Sequence, residues 1–149
     1  MAGSIEDKFA VMEVAIGYSG AASRLSADAL SAFFADDAIM RGIAPYLGLG
    51  DGDLQGPKQV RDGFAPVFAQ LEFLQQLPSF VAVNVEGNHA TAEVLVTEFT
   101  RRKNGGKMMM VCAKYDDEYK KTSLGWRFAK RTFVAKTLTV LSELPFSEA

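Results

Sequence analysis

The hydrophobic rhythm of this chain changes about halfway along. Apolar residues recur at steps of three and four in the first half, and at every second residue through most of the second. Those periods predict helices first and strands later. Ser4, followed three residues on by Asp7, has the form of a helix start, a capping box with Asp in place of Glu. From there to about Arg24 two apolar stripes run along the helix: Ile5, Phe9, Met12 and Ile16 form one, and Val11, Val14, Tyr18, Ala22 and Leu25 the other. A helix apolar on two sides is expected to lie between other elements rather than on a surface. Ser26 is positioned to cap a second, short helix, ADALSAFF, which stops at a turn formed by Ala35, Asp36 and Asp37. AIMRGI then reads as a short strand.

IAPYLGLGDGDLQG, ending at Gly56, is the one loop-like stretch. Pro57 suits the first turn of a third helix, PKQVRDGFAPVFAQL, with Pro66 placed to kink it or end its first half. Period two then takes over. SFVAVNVEG turns at Gly87-Asn88 into HATAEVLVTEFTRR, a hairpin pattern. Lys103 to Gly106 form a second turn, leading into KMMMVCAKYDDEY, and Thr122 to Gly125 a third, leading into WRFAKRTFVAKTLTVL. Neither an internal repeat nor a linker interrupts the chain. Three helices followed by a long antiparallel meander predict one α+β domain over residues 1–149. A strongly curved sheet wrapped around the first helix would account for both of its stripes.

Composition narrows the partners. The hydrophobic share is 48% and the charged share 23%, which is ordinary for a globular protein. A net charge of -2 gives no basic footprint, so nucleic acid is not an expected partner. Cys112 is the single cysteine, flanked by apolar residues, and reads as an inert core thiol unable to form an intrachain disulfide. The first residues carry acids and no basic cluster, unlike a secretory signal, and no apolar run reaches the roughly 18 residues that span a membrane. The expected location is therefore cytoplasmic, away from membranes.

Four phrases carry a likeness to a known family: ALSAFFADDAIM after the first helix, LQGPKQVRDGF opening the third, VNVEGNHATAEV at a hairpin, and YDDEYKKTSLGWRFAKR near the end. In this order and spacing, from about Phe9 to Val134, the chain resembles the SnoaL-like branch of the nuclear transport factor 2-like superfamily. That superfamily includes ketosteroid isomerase, scytalone dehydratase, limonene epoxide hydrolase, lindane dehydrochlorinase and polyketide cyclases, so the likeness bears on fold rather than on reaction. It implies a cystatin-like cone: a cone-shaped α+β barrel with three N-terminal helices packed in a curved, mixed, mostly antiparallel sheet. It also implies an apolar pocket at the wide end for a small hydrophobic ligand, no cofactor, and a homodimer joined through the outer sheet face. The lining expected of that pocket is Val14 on the first helix, Phe34 and Met40 around the first strand, and Phe64 and Phe68 on the third helix. On the meander it adds Glu98, Met109, Val111, Trp126 and Phe128.

The resemblance also tests each catalytic position. Tyr18 is spaced from Phe34 like the oxyanion-binding tyrosine of ketosteroid isomerase; otherwise it is a core tyrosine with a backbone partner. The isomerase's general-base aspartate would fall near Arg41 or Gly42 and its second aspartate near Tyr115, so a true ketosteroid isomerase is not expected. In the dehydratases an aspartate-polarised histidine acts as base. The aspartate would fall at about Ser26 and the histidine at Gln75 or Gln76, so both partners are missing. Of the epoxide hydrolase's aspartates and arginine, Glu98 falls near one acid, Val96 near the arginine and Phe128 near the other acid, a poor match. Asp36 and Asp37 read as helix-ending residues. His89, the only histidine, reads as a solvated turn residue.

DGDLQGPKQVRD has acids at positions one, three and twelve of a calcium-loop pattern, but Gln55 and Pro57 break it and no helix precedes it; no metal is expected. Along KMMMVCAKYDDEY, alternation puts Met109, Val111, Ala113, Tyr115, Asp117 and Tyr119 on one face. If that face is inward, Tyr18, Tyr115 and Asp117 are the catalytic candidates, with a desolvated Asp117 as proton shuttle. The alternative pairs Asp117 at the rim with Lys120, Arg127, Lys130 or Arg131. Two functions remain open: a cofactor-independent lyase, isomerase or cyclase acting on a small apolar hydroxy or keto compound, or a non-catalytic binding or dimeric assembly module.

Overall fold

The computed structural model describes residues 2–141. Helix α1 spans Ile5–Ser23, α2 Ala27–Ser31 and α3 Gly56–Ala69, with a single 3-10 turn at Ala44–Leu47. The strands are β1 (Phe34–Arg41), β2 (Leu54–Gln55), β3 (Leu71–Glu86), β4 (His89–Arg102), β5 (Met109–Thr122) and β6 (Gly125–Val140). Both serine caps form as their sequences require. The Ser4 hydroxyl accepts from the Asp7 amide at 3.0 Å, and the Ser26 hydroxyl from the Ala29 amide at 3.2 Å. Pro57 occupies the first turn of α3, where its missing N–H costs nothing, and Pro66 lies within that helix without ending it.

The strands form one mixed sheet in the order β2-β1-β6-β5-β4-β3, with β1 parallel to β6 and every other pair antiparallel. β2 and β3 are its two edges, so the sheet is curved but not closed. Three helices pack on one face of it, an α+β arrangement. The core lies between them: Val11, Ala15, Leu30, Met40, Val60, Val94 and Phe128 have no exposed surface.

Five expectations need correction. α1 buries its Val11, Val14, Tyr18 and Ala22 stripe, but Ile5, Phe9 and Ile16 on the other are 78%, 65% and 49% exposed. Because the sheet stays open, it covers only one side of the helix. The Ala35-Asp36-Asp37 segment is not a turn but part of β1, since Phe34, Ala38 and Met40 bury inward and pull the acids into the extended strand, where Asp37 pairs with Lys120. The glycine-rich loop holds the 3-10 turn and the two-residue strand β2, which pairs Leu54 with Met40. β3 also begins earlier than its alternation suggested, at Leu71, because the preceding residues pair with β4. Cys112 is half-buried rather than core.

Gly42 ends β1 in the left-handed region, with φ +81°, and a Cβ there would come within 2.4 Å of the Phe133 carbonyl oxygen on β6. Any side chain therefore meets both backbone strain and backbone atoms that cannot rotate away. Gly42→Ala is expected to destabilise the fold by about 1–3 kcal/mol. At roughly 2–4 °C per kcal/mol for a chain of this size, the melting temperature drops by several degrees. A melting temperature within one degree of the parent would show that β1 and β6 do not approach so closely.

Candidate functional site

A cavity of about 220 Å³ lies between α1, α3, the 3-10 turn and the inner face of the sheet. Alternation on the strands delivers its walls: Leu74 and Gln76 from β3, Val96, Glu98, Thr100 and Arg102 from β4, and Met109, Val111 and Tyr115 from β5. Tyr18 and Ala22 come from α1, Phe64, Val67 and Phe68 from α3, and Tyr46 and Leu47 from the 3-10 turn, while Phe133 and Leu138 close the β6 side.

Besides Thr100 and Arg102, two sets of polar groups interrupt this apolar wall. The first is a chain of hydrogen bonds. Gln76 and Glu98 are cross-strand partners, and the Gln76 Nε2 donates to Glu98 Oε2 at 2.7 Å. The Ser19 hydroxyl donates to Gln76 Oε1 at 2.8 Å, and the Gln76 backbone N–H donates to the Ser23 hydroxyl at 3.0 Å. Gln76 is thus fully engaged, with its NH₂ turned to the carboxyl. Burial pushes the Glu98 pKa above the usual carboxylate range, and the Gln76 bond only partly offsets it. The second group is the pair of phenols: the Tyr18 and Tyr115 hydroxyls stand 3.4 Å apart, their rings edge to face at 5.8 Å. Burial raises both pKa values, so both remain protonated and able to donate.

Behind the phenols is a buried ion pair. Asp117 faces inward, 2% exposed, accepts from the Tyr119 hydroxyl at 2.8 Å, and pairs through Oδ1 with Arg131 Nε at 3.1 Å. Arg131 has no exposed surface. Its guanidinium carbon sits 3.5 Å from the centroid of the Tyr115 ring, 4.2 Å from that of Tyr18 and 4.4 Å from that of Phe128. Burial pushes Asp117 up to about 6, against the pull of Arg131 and Tyr119. Burial alone would lower the Arg131 pKa; the Asp117 carboxylate and the surrounding phenols outweigh it, and Arg131 stays charged.

Of the residues expected to line the pocket, Phe64, Phe68, Glu98, Met109 and Val111 border the cavity, together with Tyr18 and Tyr115. Val14, Phe34, Met40, Trp126 and Phe128 are buried without bordering it. Phe34 and Phe128 pack edge-on against Tyr18 at 6.1 and 5.8 Å, and Trp126 turns its indole N–H to Asp7 at 2.9 Å. Asp117 is likewise absent from the cavity wall, and its cation is Arg131, in the interior rather than at the rim. Ser26 only caps α2, so the residues facing Gln76 are Ser19 and Ser23. His89 is exposed. Asp53, from the calcium-like loop, is held by Arg41 at 2.9 Å, and no cluster among the described residues could hold a metal ion. No helix among them is long and apolar enough to cross a membrane.

Alternation could not place Arg131. Counting in twos from Trp126 and Phe128 sends Lys130 inward and Arg131 outward. The β5–β6 ladder pairs Tyr119 with Phe128 but Glu118 with Lys130, leaving Ala129 as a bulge that resets the phase. Serine, glutamine and glutamate on separate elements gave no local signal of the Ser19–Gln76–Glu98 chain.

An open mixed sheet, three helices and an apolar cavity on the inner face define a cystatin-like α+β domain. Residues 3–132 match the family model of the SnoaL-like domain, and the chain belongs to that family. Among solved structures it is similar to a proposed aromatic ring hydroxylase from Novosphingobium aromaticivorans, at 25% identity over 93% of this chain and 96% of that one, with a TM-score of 0.80. A proposed scytalone dehydratase from the same organism superposes with a TM-score of 0.80 at 14% identity, over 97% and 96% of the two chains. A hexachlorocyclohexane dehydrochlorinase, LinA type 2, does so with a TM-score of 0.78 at 16% identity, over 97% and 98%. These last two likenesses concern the fold. No curated protein matches the chain.

Removing one member of the buried pair leaves the other charge uncompensated. Arg131→Met is expected to cost about 3–5 kcal/mol in urea unfolding, and adding Asp117→Leu should restore much of it. A single substitution costing under about 1 kcal/mol would mean that the pair is solvated. Since the folded pKa of Asp117, about 6, lies above its ordinary 3.8, its contribution to stability is largest in acid and is lost as pH rises through 6. A carboxyl ¹³C titration of Asp117 should show a midpoint near 6; one near 4 would contradict its burial.

Proposed function

We propose that the cavity binds a small apolar hydroxy or keto compound and acts on it by proton transfer without a cofactor, as a lyase, isomerase or cyclase does. The observation that carries this reading is the half-buried Glu98 carboxyl sharing one apolar cavity with two protonated phenols. Desolvation that raises a carboxyl's pKa suits it to proton transfer, and preorganised hydroxyls stabilise charge developing on a substrate oxygen. Glu98 is the proton-transfer group, oriented by Gln76; Tyr18 and Tyr115 donate to the substrate oxygen. Asp117, already bonded to Tyr119 and Arg131, holds that cation against the phenol rings rather than meeting substrate. The positive charge of Arg131 opposes the effect of burial on both phenols and makes them better donors.

Size limits the ligand. A dry cavity of about 150 Å³ accommodates benzene, so 220 Å³ suits a substituted single ring better than a four-ring steroid. One observation favours the second reading, a binding module without chemistry: the resemblance puts the histidine base at Gln75 or Gln76, and a side-chain amide cannot accept its proton. A thermal-shift screen of hydroxy-ketones and polyketide fragments, followed by turnover assays on the hits, separates the two. Glu98→Gln is expected to lower turnover about 10²–10⁴-fold and Tyr18→Phe to lower it too, each keeping its fold. If hits still bind and neither substitution changes any turnover, the binding module is the correct reading.

We also propose that a second copy of the chain covers the outer sheet face. Leu77, Leu95 and Val134 are 46%, 37% and 38% exposed, and Leu95 and Val134 flank Lys114 in one cross-strand row. Sedimentation at micromolar concentration should show a dimer that Leu95→Lys turns into monomer. A dimer broken by Phe9→Lys and not by Leu95→Lys would place the contact on α1 instead.

A further inference from the structure

The inner face of β4 works as a depth scale. Val96, Glu98, Thr100 and Arg102 all border the cavity, in a sequence that runs from apolar through carboxyl and hydroxyl to cation. Val96 is 4% exposed at the bottom, and Arg102 is exposed at the mouth. With a strand rise of about 3.3 Å per residue, the backbones of Glu98 and Arg102 lie roughly 13 Å apart along the cavity. The walls between and around those levels are apolar, provided by Phe68, Leu71, Met109 and Leu138.

The two arginines that end β4 differ sharply. Arg101 pairs with Glu72. Arg102 stands opposite Leu71 on the adjacent strand, and no carboxylate among the described residues pairs with it. Its Nη1 donates to the Gln70 side-chain oxygen at 3.0 Å, a bond that fixes one edge of the guanidinium and leaves its other N–H groups available. Lys103 and Lys107 follow in the β4–β5 connection and add positive charge to the same end. Glu98 makes the deep end unfavourable for an anion, so a charged ligand has one orientation open to it.

We propose that the ligand is a small apolar carboxylic acid, seated with its carboxylate on Arg102 at the mouth and its reactive end beside Glu98 and the phenols. This rests on the cavity reading above and adds to it the charge and orientation of the ligand. A planar guanidinium with free N–H groups matches a carboxylate in two places at once. The apolar midsection then spans the distance between the two charged levels, as a ring with a short acyl arm does.

The test compares 4-oxo-4-phenylbutanoate with its neutral primary amide by titration calorimetry at low ionic strength. Since Arg102 is exposed, the acid is expected to bind about three- to tenfold tighter than the amide. Arg102→Gln should abolish that preference, and Lys8→Gln, on the exposed side of α1 away from the cavity, should leave it in place. Equal affinities for acid and amide in the parent protein, or a preference that survives Arg102→Gln, would overturn the proposal while leaving the cavity reading intact. Failure of both probes to bind would overturn the two together.

Discussion

The structure depends on one buried cation. Arg131 has no exposed surface, and an unmatched guanidinium in such a place would be prohibitive. It is matched from two directions. Asp117 supplies the opposite charge along the sheet, and the rings of Tyr18, Tyr115 and Phe128 turn their electron-rich faces toward it from α1, β5 and β6. Elements that would otherwise touch through interchangeable apolar contacts are thereby locked in one arrangement. The two phenols at the bottom of the cavity inherit their position from the charge behind them.

Around that lock, the open sheet shapes the cavity. Bulges at Ala129 and Lys136 bend β6, and α3 with the 3-10 turn roofs the hollow this leaves. The polar groups that reach the hollow are each held by a neighbour: Glu98 by Gln76, Gln76 by Ser19, the phenols by each other. Such a site is preorganised, since little must move when a ligand enters. It also combines an apolar volume with a small number of fixed polar contacts, which is the usual make-up of a small-molecule site.

Much of this was legible in the sequence, and the limits of legibility are physical. Caps and turns at Ser4, Ser26, Pro57 and Gly87 are local devices, and each is found where its residues put it. Strict alternation carried Met109 through Tyr119 onto the correct face because β5 keeps one phase toward β4 throughout. On β6 the same rule failed at a bulge, an insertion that no residue type announces, and hid Arg131. Asp36 and Asp37 looked like a turn because acids often stop helices; the burial of Phe34, Ala38 and Met40 decided otherwise. The Ser19–Gln76–Glu98 chain joins residues on three elements, and only their meeting in space makes them a unit.

The tie between the two ends of the domain has a consequence for how the chain reaches this state. Asp7, in the first turn of α1, bonds to Lys121 and to the Trp126 indole, 114 and 119 residues further along. The domain's first helix is therefore anchored by residues of its last two strands. At about 5–20 residues per second, α1 waits roughly 6–24 s for the strands that seat it, with both of its apolar stripes uncovered. Contacts this distant in sequence make for slow folding. The order of the elements thus builds into synthesis an interval in which α1 exists without the strands that cover it.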